Sequence, residues 1–319
     1  MTETLAAYSL VAIYSAIAVY VIAFVVFVLD LSSRAAMAQA AVAPAAASGR
    51  AYQGATLVAE KAQAAPAPPA ASRYQRIAVA LTILAWVIHV AAVGLRAFAA
   101  GRVPWANLFE FTLTGTAIIV GVFLVAQIWR DVRFLGAFVT GVVVLLATLA
   151  TVNFYVDVTP LPPPLQSAWL VIHVLVAMLA TGFFAIGGGL SIVQLLQARR
   201  ESGKATGMKF LRSFPAADVL ETTANRLVIV GFALWTFTLM AGAIWAERAW
   251  GRYWGWDTKE VWTFIIWVVF AGYVHARATR GWRGSRSAWL AIIGFAAVIF
   301  NFTIVNLFFA GLHAYSGLT

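Results

Sequence analysis

The stretch Phe134-Leu-Gly-Ala-Phe-Val-Thr-Gly-Val-Val-Val-Leu-Leu-Ala-Thr-Leu-Ala-Thr-Val-Asn153 holds twenty residues without one charge. At 1.5 Å per residue such a run, as a helix, is about 30 Å long, the thickness of a bilayer's hydrocarbon core. Reading outward, similar runs occur at 8–29, 77–98, 108–128, 169–198, 227–246, 261–276 and 288–311, making eight in all. Apolar periodicity inside them is hard to read, as for helices apolar all round. The whole chain agrees: 319 residues, 62% hydrophobic and only 11% charged, leave too little polar surface for soluble domains. The expected fold is an all-α polytopic membrane protein of about eight transmembrane helices.

The net charge of +10 is topological rather than a nucleic-acid footprint, because the basic residues fall in short gaps between apolar runs. Assigning alternate gaps to opposite sides puts 17 of 22 Lys and Arg on one side, and only Arg96, Arg102, Arg248, Arg252 and Lys259 on the other. The positive-inside rule then places both termini outside. The first span, within residues 1–30, lacks a basic lead and a cleavage signal and reads as a retained helix. Residues 31–76, rich in Ala and Pro, read as a cytoplasmic linker. Residues 77–319 then form a seven-helix domain, and Arg199 to Asn225 reads as an inner surface helix.

No cysteine is present, which excludes disulfides, thiolate metal sites and Cys nucleophiles. Polar chemistry is sparse, with four histidines against 13 tryptophans. Five of those tryptophans and a tyrosine crowd residues 245–262, the outside loop between spans six and seven: Trp245, Trp250, Tyr253, Trp254, Trp256 and Trp262. An interfacial aromatic belt is one reading. The other is a platform of rigid rings for a flat apolar ligand, with Gly251 and Gly255 letting backbone approach. Arg248, Arg252 and Lys259 lie there against the topological bias and would pair either with anionic groups of a ligand or with Glu247, Asp257 and Glu260. Asp257 to Glu260, ahead of an apolar run, has the form of a capping box opening the seventh helix, which assigns Asp257 a structural part.

His173 lies a turn inside the outer end of the fifth span and His313 just past the outer end of the eighth, both near the depth of the tryptophan loop. Two neutral imidazoles across a stacked macrocycle would supply axial ligands to its metal, although each could equally be a hydrogen-bonded structural histidine. His89 and His275 lie within the second and seventh spans, where an ionisable group is a functional candidate and an interhelical hydrogen bond the alternative. Counting does not bring them level: His89 is about 18 Å from Ile77, whereas His275 is within a turn of Arg277.

The run Trp250-Gly-Arg-Tyr-Trp-Gly-Trp-Asp-Thr-Lys-Glu-Val-Trp262 resembles the tryptophan-rich (WWD) signature of haem-handling membrane proteins, in the form found in the CcsA/ResC branch of the system II cytochrome c synthase. Three segments agree: Pro104-Trp-Ala-Asn-Leu-Phe-Glu110, Leu165-Gln-Ser-Ala-Trp-Leu-Val-Ile-His173 and Asn306-Leu-Phe-Phe-Ala-Gly-Leu-His-Ala-Tyr-Ser-Gly317. The likeness runs from about Ile77 to the C-terminus. Thr258 stands where the family usually has Pro, and Trp105-Ala106 replaces a more usual small polar residue.

The resemblance implies that His173 and His313 ligate haem b at the outer face and that His89 and His275 form a pair within the bilayer. It implies c-type cytochrome biogenesis: haem taken from the cytoplasmic side, moved outward and presented to the Cys-x-x-Cys-His thiols of apocytochrome c, which add across its vinyl groups. The chain would be one membrane subunit of a cytochrome c synthase (haem lyase), with a CcsB/ResB-type partner, in a bacterial cytoplasmic membrane or, alternatively, a thylakoid. Two other readings are a system I haem-handling protein and a bis-histidine haem b electron-transfer protein that oxidises quinol.

Overall fold

A computed structural model describes residues 2–40, 72–159, 161, 165–204, 208–309 and 311–313. The described residues are helical and contain eight helices long and apolar enough to cross a membrane. They are α1 (Thr2–Ala40), α2 (Arg73–Ala100), α3 (Leu108–Trp129), α4 (Gly136–Asn153), α5 (Ala168–Glu201), α6 (Ala217–Trp250), α7 (Thr258–Thr279) and α8 (Ser285–Phe302), followed by a short α9 (Ile304–Phe308).

Several boundaries differ from the hydropathy reading. Helix α1 runs ten residues into the expected linker, to Ala40, and α2 starts at Arg73; the rest of that segment, 41–71, lies outside the described residues. Hydropathy marks where lipid begins, whereas a helix continues while its residues favour it, as the Ala-rich end of α1 does. For the same reason the expected surface helix at 199–225 is divided between the ends of α5 and α6, with a 3-10 turn at Lys209–Ser213 between them. The tryptophan segment is also less of a loop than expected. Trp245 and Trp250 ride on α6, which ends where Gly251 turns left-handed at φ 71°, and Trp262 is already in α7.

Two packed groups of helices share α5. In the first, α1 and α2 meet along seven-residue repeats. On α2 the buried positions are Ala78, Ala85, Ala92 and Ala99, interleaved with Gln75, Thr82, His89 and Arg96. Facing them on α1 are Ser9, Ile13, Ala16, Tyr20, Ala23, Phe27 and Asp30, all buried. Small residues let the backbones approach, and a strict seven-residue spacing keeps the seam facing its partner. In the second group α5 packs on α6 and α8 while also touching α3 and α4. Glycines provide the room. A Cβ would press on Val122 at Gly182, on Val228 at Gly187, on Phe295 at Gly188 and on Phe138 at Gly189.

Ion pairs staple both ends, half-buried at one and buried at the other. At one, Glu221 of α6 accepts from Arg277 Nη1 (2.5 Å), Gly284 N (2.9 Å) and Ser287 Oγ (3.1 Å), joining α6, α7 and α8. At the tryptophan-rich end, Glu110 at the start of α3 accepts from Arg96 Nε (3.0 Å), Arg102 Nη1 (2.7 Å) and Ala106 N (3.0 Å). Arg96 also donates to the Val156 carbonyl at 2.5 Å and Arg102 to that of Thr159 at 3.2 Å, so the segment after α4 is held by the same cluster.

Candidate functional site

At the tryptophan-rich end the helices part around a half-open cavity of about 1090 Å³, counting its mouth. One face of α6 forms a wall. Trp235, Thr238, Gly242 and Trp245, spaced three and four apart, all line it. The first turns of α5 bring His173, the segment before α3 brings Trp105, the turn between α6 and α7 brings Tyr253 and Trp254, and the tail beyond α9 brings His313. The Glu110 cluster fixes Trp105 through the Ala106 hydrogen bond and through Asn107, whose Oδ1 caps α3 on Glu110 N at 2.9 Å.

The two histidines reach this cavity from separate segments, and each ring is oriented by its Nδ1. His173 Nδ1 donates to the Thr238 carbonyl at 3.0 Å, and the ring lies along Trp245, with centroids 5.8 Å apart and planes 15° from parallel. Gly242 makes that fit possible, since a Cβ there would stand 2.7 Å from His173 Cε1. His313 Nδ1 donates to Asp257 Oδ2 at 2.5 Å, with the edges of Trp245 and Trp250 packed about it at centroid distances of 5.5 and 4.8 Å. A carbonyl and a carboxylate only accept, so each ring carries its proton on Nδ1 and leaves Nε2 as the atom open to a metal, the usual outer arrangement of metal-binding histidine. The His313 hydrogen bond also holds the Asp257 carboxyl below its ordinary range.

This donor set fits a flat macrocyclic metal complex. Two imidazoles on one cavity suffice for a metal that brings its own in-plane ligands. Three buried polar atoms of residues lining the cavity, Trp105 Nε1, Glu260 Oε1 and Asn301 Oδ1, have no protein partner. Such atoms in a native site are met by a ligand or by water.

The other expected residues divide. Trp254 and Tyr253 line the cavity, Trp250 backs His313, and Trp262 packs on Phe300 of α8 at 4.3 Å instead. Trp256 is 76% exposed and sits at φ 60°, a strained angle for a bulky residue. Lys259 lines the cavity and donates to Asn306 Oδ1 at 2.5 Å, with Phe302 5.0 Å from its ammonium. Arg252 folds over Gly255, occupying the space a side chain there would need, and Arg248 is exposed at the end of α6. The expected capping box forms: Glu260 Oε2 accepts from Asp257 N at 3.0 Å and also from Gly255 N at 2.8 Å.

The expected inner pair is not brought together by this chain. His89 is fully buried in the α1–α2 seam, its Nδ1 3.5 Å from Tyr20 Oη, which is the interhelical alternative. His275 is exposed on α7, which packs on α8 and α6. Residues that sequence reasoning left out are Trp235, Thr238 and Gly242; their spacing along α6, ending at Trp245, is the signal that would have found them.

A family model described as "Cytochrome C assembly protein" matches residues 105–313, the stretch that contains every wall of the cavity. Proteins described as "Cytochrome c biogenesis protein CcsA" are similar over most of the chain. That of Guillardia theta is 35% identical over 256 residues, covering 74% of this chain and 84% of its own. That of Synechococcus sp. (strain JA-3-3Ab) is 34% identical over 270 residues, covering 68% and 78%. Among solved structures, "Cytochrome c Heme Lyase CcmF" superposes with a TM-score of 0.62 at 15% identity, covering 93% of this chain, which spans 46% of that larger one. At that identity the likeness is one of fold. The chain belongs to the cytochrome c assembly protein family, as a CcsA-type multi-pass membrane protein of cytochrome c biogenesis.

Proposed function

We propose that the cavity binds haem b between His173 and His313 and presents it, on the outer face of the membrane, for covalent attachment to apocytochrome c. The observation that carries this reading is the convergence of two imidazoles from distant segments on one aromatic cavity, each with Nδ1 engaged and Nε2 left over. The bound group supplies the vinyl carbons to which the apocytochrome thiols add. The chain supplies orientation and exclusion of water. Trp105, Trp235, Trp245 and Trp254 give flat apolar walls, and Lys259 offers a cation for a carboxylate at the cavity edge. The charge bias supports an outer location, because the opposite end of the bundle carries Arg199, Arg200, Arg277, Arg280, Arg283 and Arg286.

Haem would come from the cytoplasmic side, and a CcsB/ResB-type subunit would complete the complex. His275, exposed near the inner end of α7, would serve that transfer against a partner, whereas His89 is enclosed in the α1–α2 seam. The electron-transfer alternative wants its ligands deep in the bundle, whereas these imidazoles sit at one end. The test is genetic. Deleting the gene should abolish covalently attached haem in membrane and secreted cytochromes while haem b cytochromes persist, and His173→Ala or His313→Ala should fail to restore it. Equal loss of b-type and c-type cytochromes would refute the assignment.

A further inference from the structure

The sequence assigns Asp257 to helix capping, yet the structure gives it a second contact. Its Oδ2 accepts the Nδ1 proton of His313 at 2.5 Å, while the corresponding proton of His173 goes to the backbone carbonyl of Thr238 at 3.0 Å. One imidazole is therefore bound by a full negative charge and the other by a neutral dipole. Gly311, two residues before His313, reinforces the point, because any Cβ there would collide with Asp257 Oδ1. Tail and carboxylate are fitted to each other, and the cap needs no such fit.

Resting on the reading that His173 and His313 hold haem, we propose that Asp257 is a positioning residue that fixes His313 and makes the two axial ligands unequal, thereby lowering the reduction potential of the bound iron. A carboxylate accepting from Nδ1 raises the basicity of the opposite nitrogen. The charge-assisted bond pushes electron density toward the metal and favours its ferric form over its ferrous form. The Thr238 carbonyl does this less. Asp257 also ties the tail to the first turn of α7, so the placement of His313 depends on the same residue that starts the helix.

The two roles separate chemically. Asn caps a helix as well as Asp and still accepts a hydrogen bond, but carries no charge. Full-length D257N, purified in detergent beside wild type, should keep low-spin haem and titrate at a higher potential. The expected ferric-to-ferrous ratio at fixed potential is at least tenfold lower, which for one electron is about 59 mV. Haem retained at an unchanged potential would overturn the proposal and return Asp257 to capping alone. If D257N loses haem, added imidazole decides: restored low-spin haem means that His313 was misplaced, as proposed. Loss that imidazole does not repair, and that D257S shares, means that Asp257 acts through the fold, which overturns it. Wild-type haem that persists in H173A/H313A would instead sink the underlying assignment of ligands, and is distinguished by that control.

Discussion

Replacing Gly242 by alanine adds one methyl group against the face of His173. The new Cβ would lie 2.7 Å from Cε1 and 2.8 Å from Nδ1, about 0.7 Å short of the 3.4 Å at which ordinary contact begins. The ring has little freedom to retreat, since Nδ1 is tied to the Thr238 carbonyl at 3.0 Å and its plane lies along Trp245. Metal–ligand distances tolerate roughly 0.2 Å. An overpacked contact of this kind costs about 1–3 kcal/mol. If that strain falls on the iron bond, haem affinity drops by roughly 5- to 150-fold. The assay is haem per polypeptide from reduced-minus-oxidised spectra of protein purified at matched concentration. Gly115→Ala is the control, because nothing stands within 4 Å of a Cβ there and the change slightly favours the helix. G242A with wild-type low-spin haem would refute the claim that His173, as placed here, is a ligand.

Glu110→Ala should destabilise the protein by about 3–5 kcal/mol, because it strands two guanidiniums whose side chains are 1% and 9% exposed. Thermal unfolding in detergent measures it, and a loss under about 1 kcal/mol, typical of surface pairs, would mean the cluster is solvated. Trp254→Ala should weaken haem retention roughly tenfold or more, as loss of an aromatic wall does, while Trp256→Ala should change it little. Haem titration of both variants checks this, and equal effects would reduce the tryptophans to an interfacial belt. Gly188→Leu should impair folding, since even a Cβ meets Phe295 at 2.8 Å; expression at wild-type level with an unchanged unfolding midpoint would contradict the α5–α8 packing.

Eight spans were legible because lipid selects for apolar residues regardless of which way they face. The same selection hides helix packing. On α1 and α2 the informative residues were the small and polar ones: Gln75, Thr82, His89 and Arg96 recur every seven positions beside Ala78, Ala85, Ala92 and Ala99, and all eight are buried. Read that way, the sequence assigns His89 to a helix seam. The convergence of His173 and His313 could be anticipated from span ends, since both lie near the same membrane depth. Their hydrogen-bond partners could not, because Thr238 is 65 residues from His173 and Asp257 is 56 from His313. Trp235 and Gly242 escaped for a related reason. Within an apolar helix a tryptophan or glycine looks like lipid-facing bulk or packing until the neighbouring helix is placed.

His173 and His313, as proposed above, ligate one haem in the tryptophan-lined cavity. Visible spectra of the purified protein, oxidised and dithionite-reduced, test it in wild type, H173A/H313A and H89A. Wild type should show a low-spin haem b signal that is lost in the double variant and kept in H89A. A signal unchanged in H173A/H313A and abolished in H89A would place the haem inside the bundle and rule out ligation by His173 and His313.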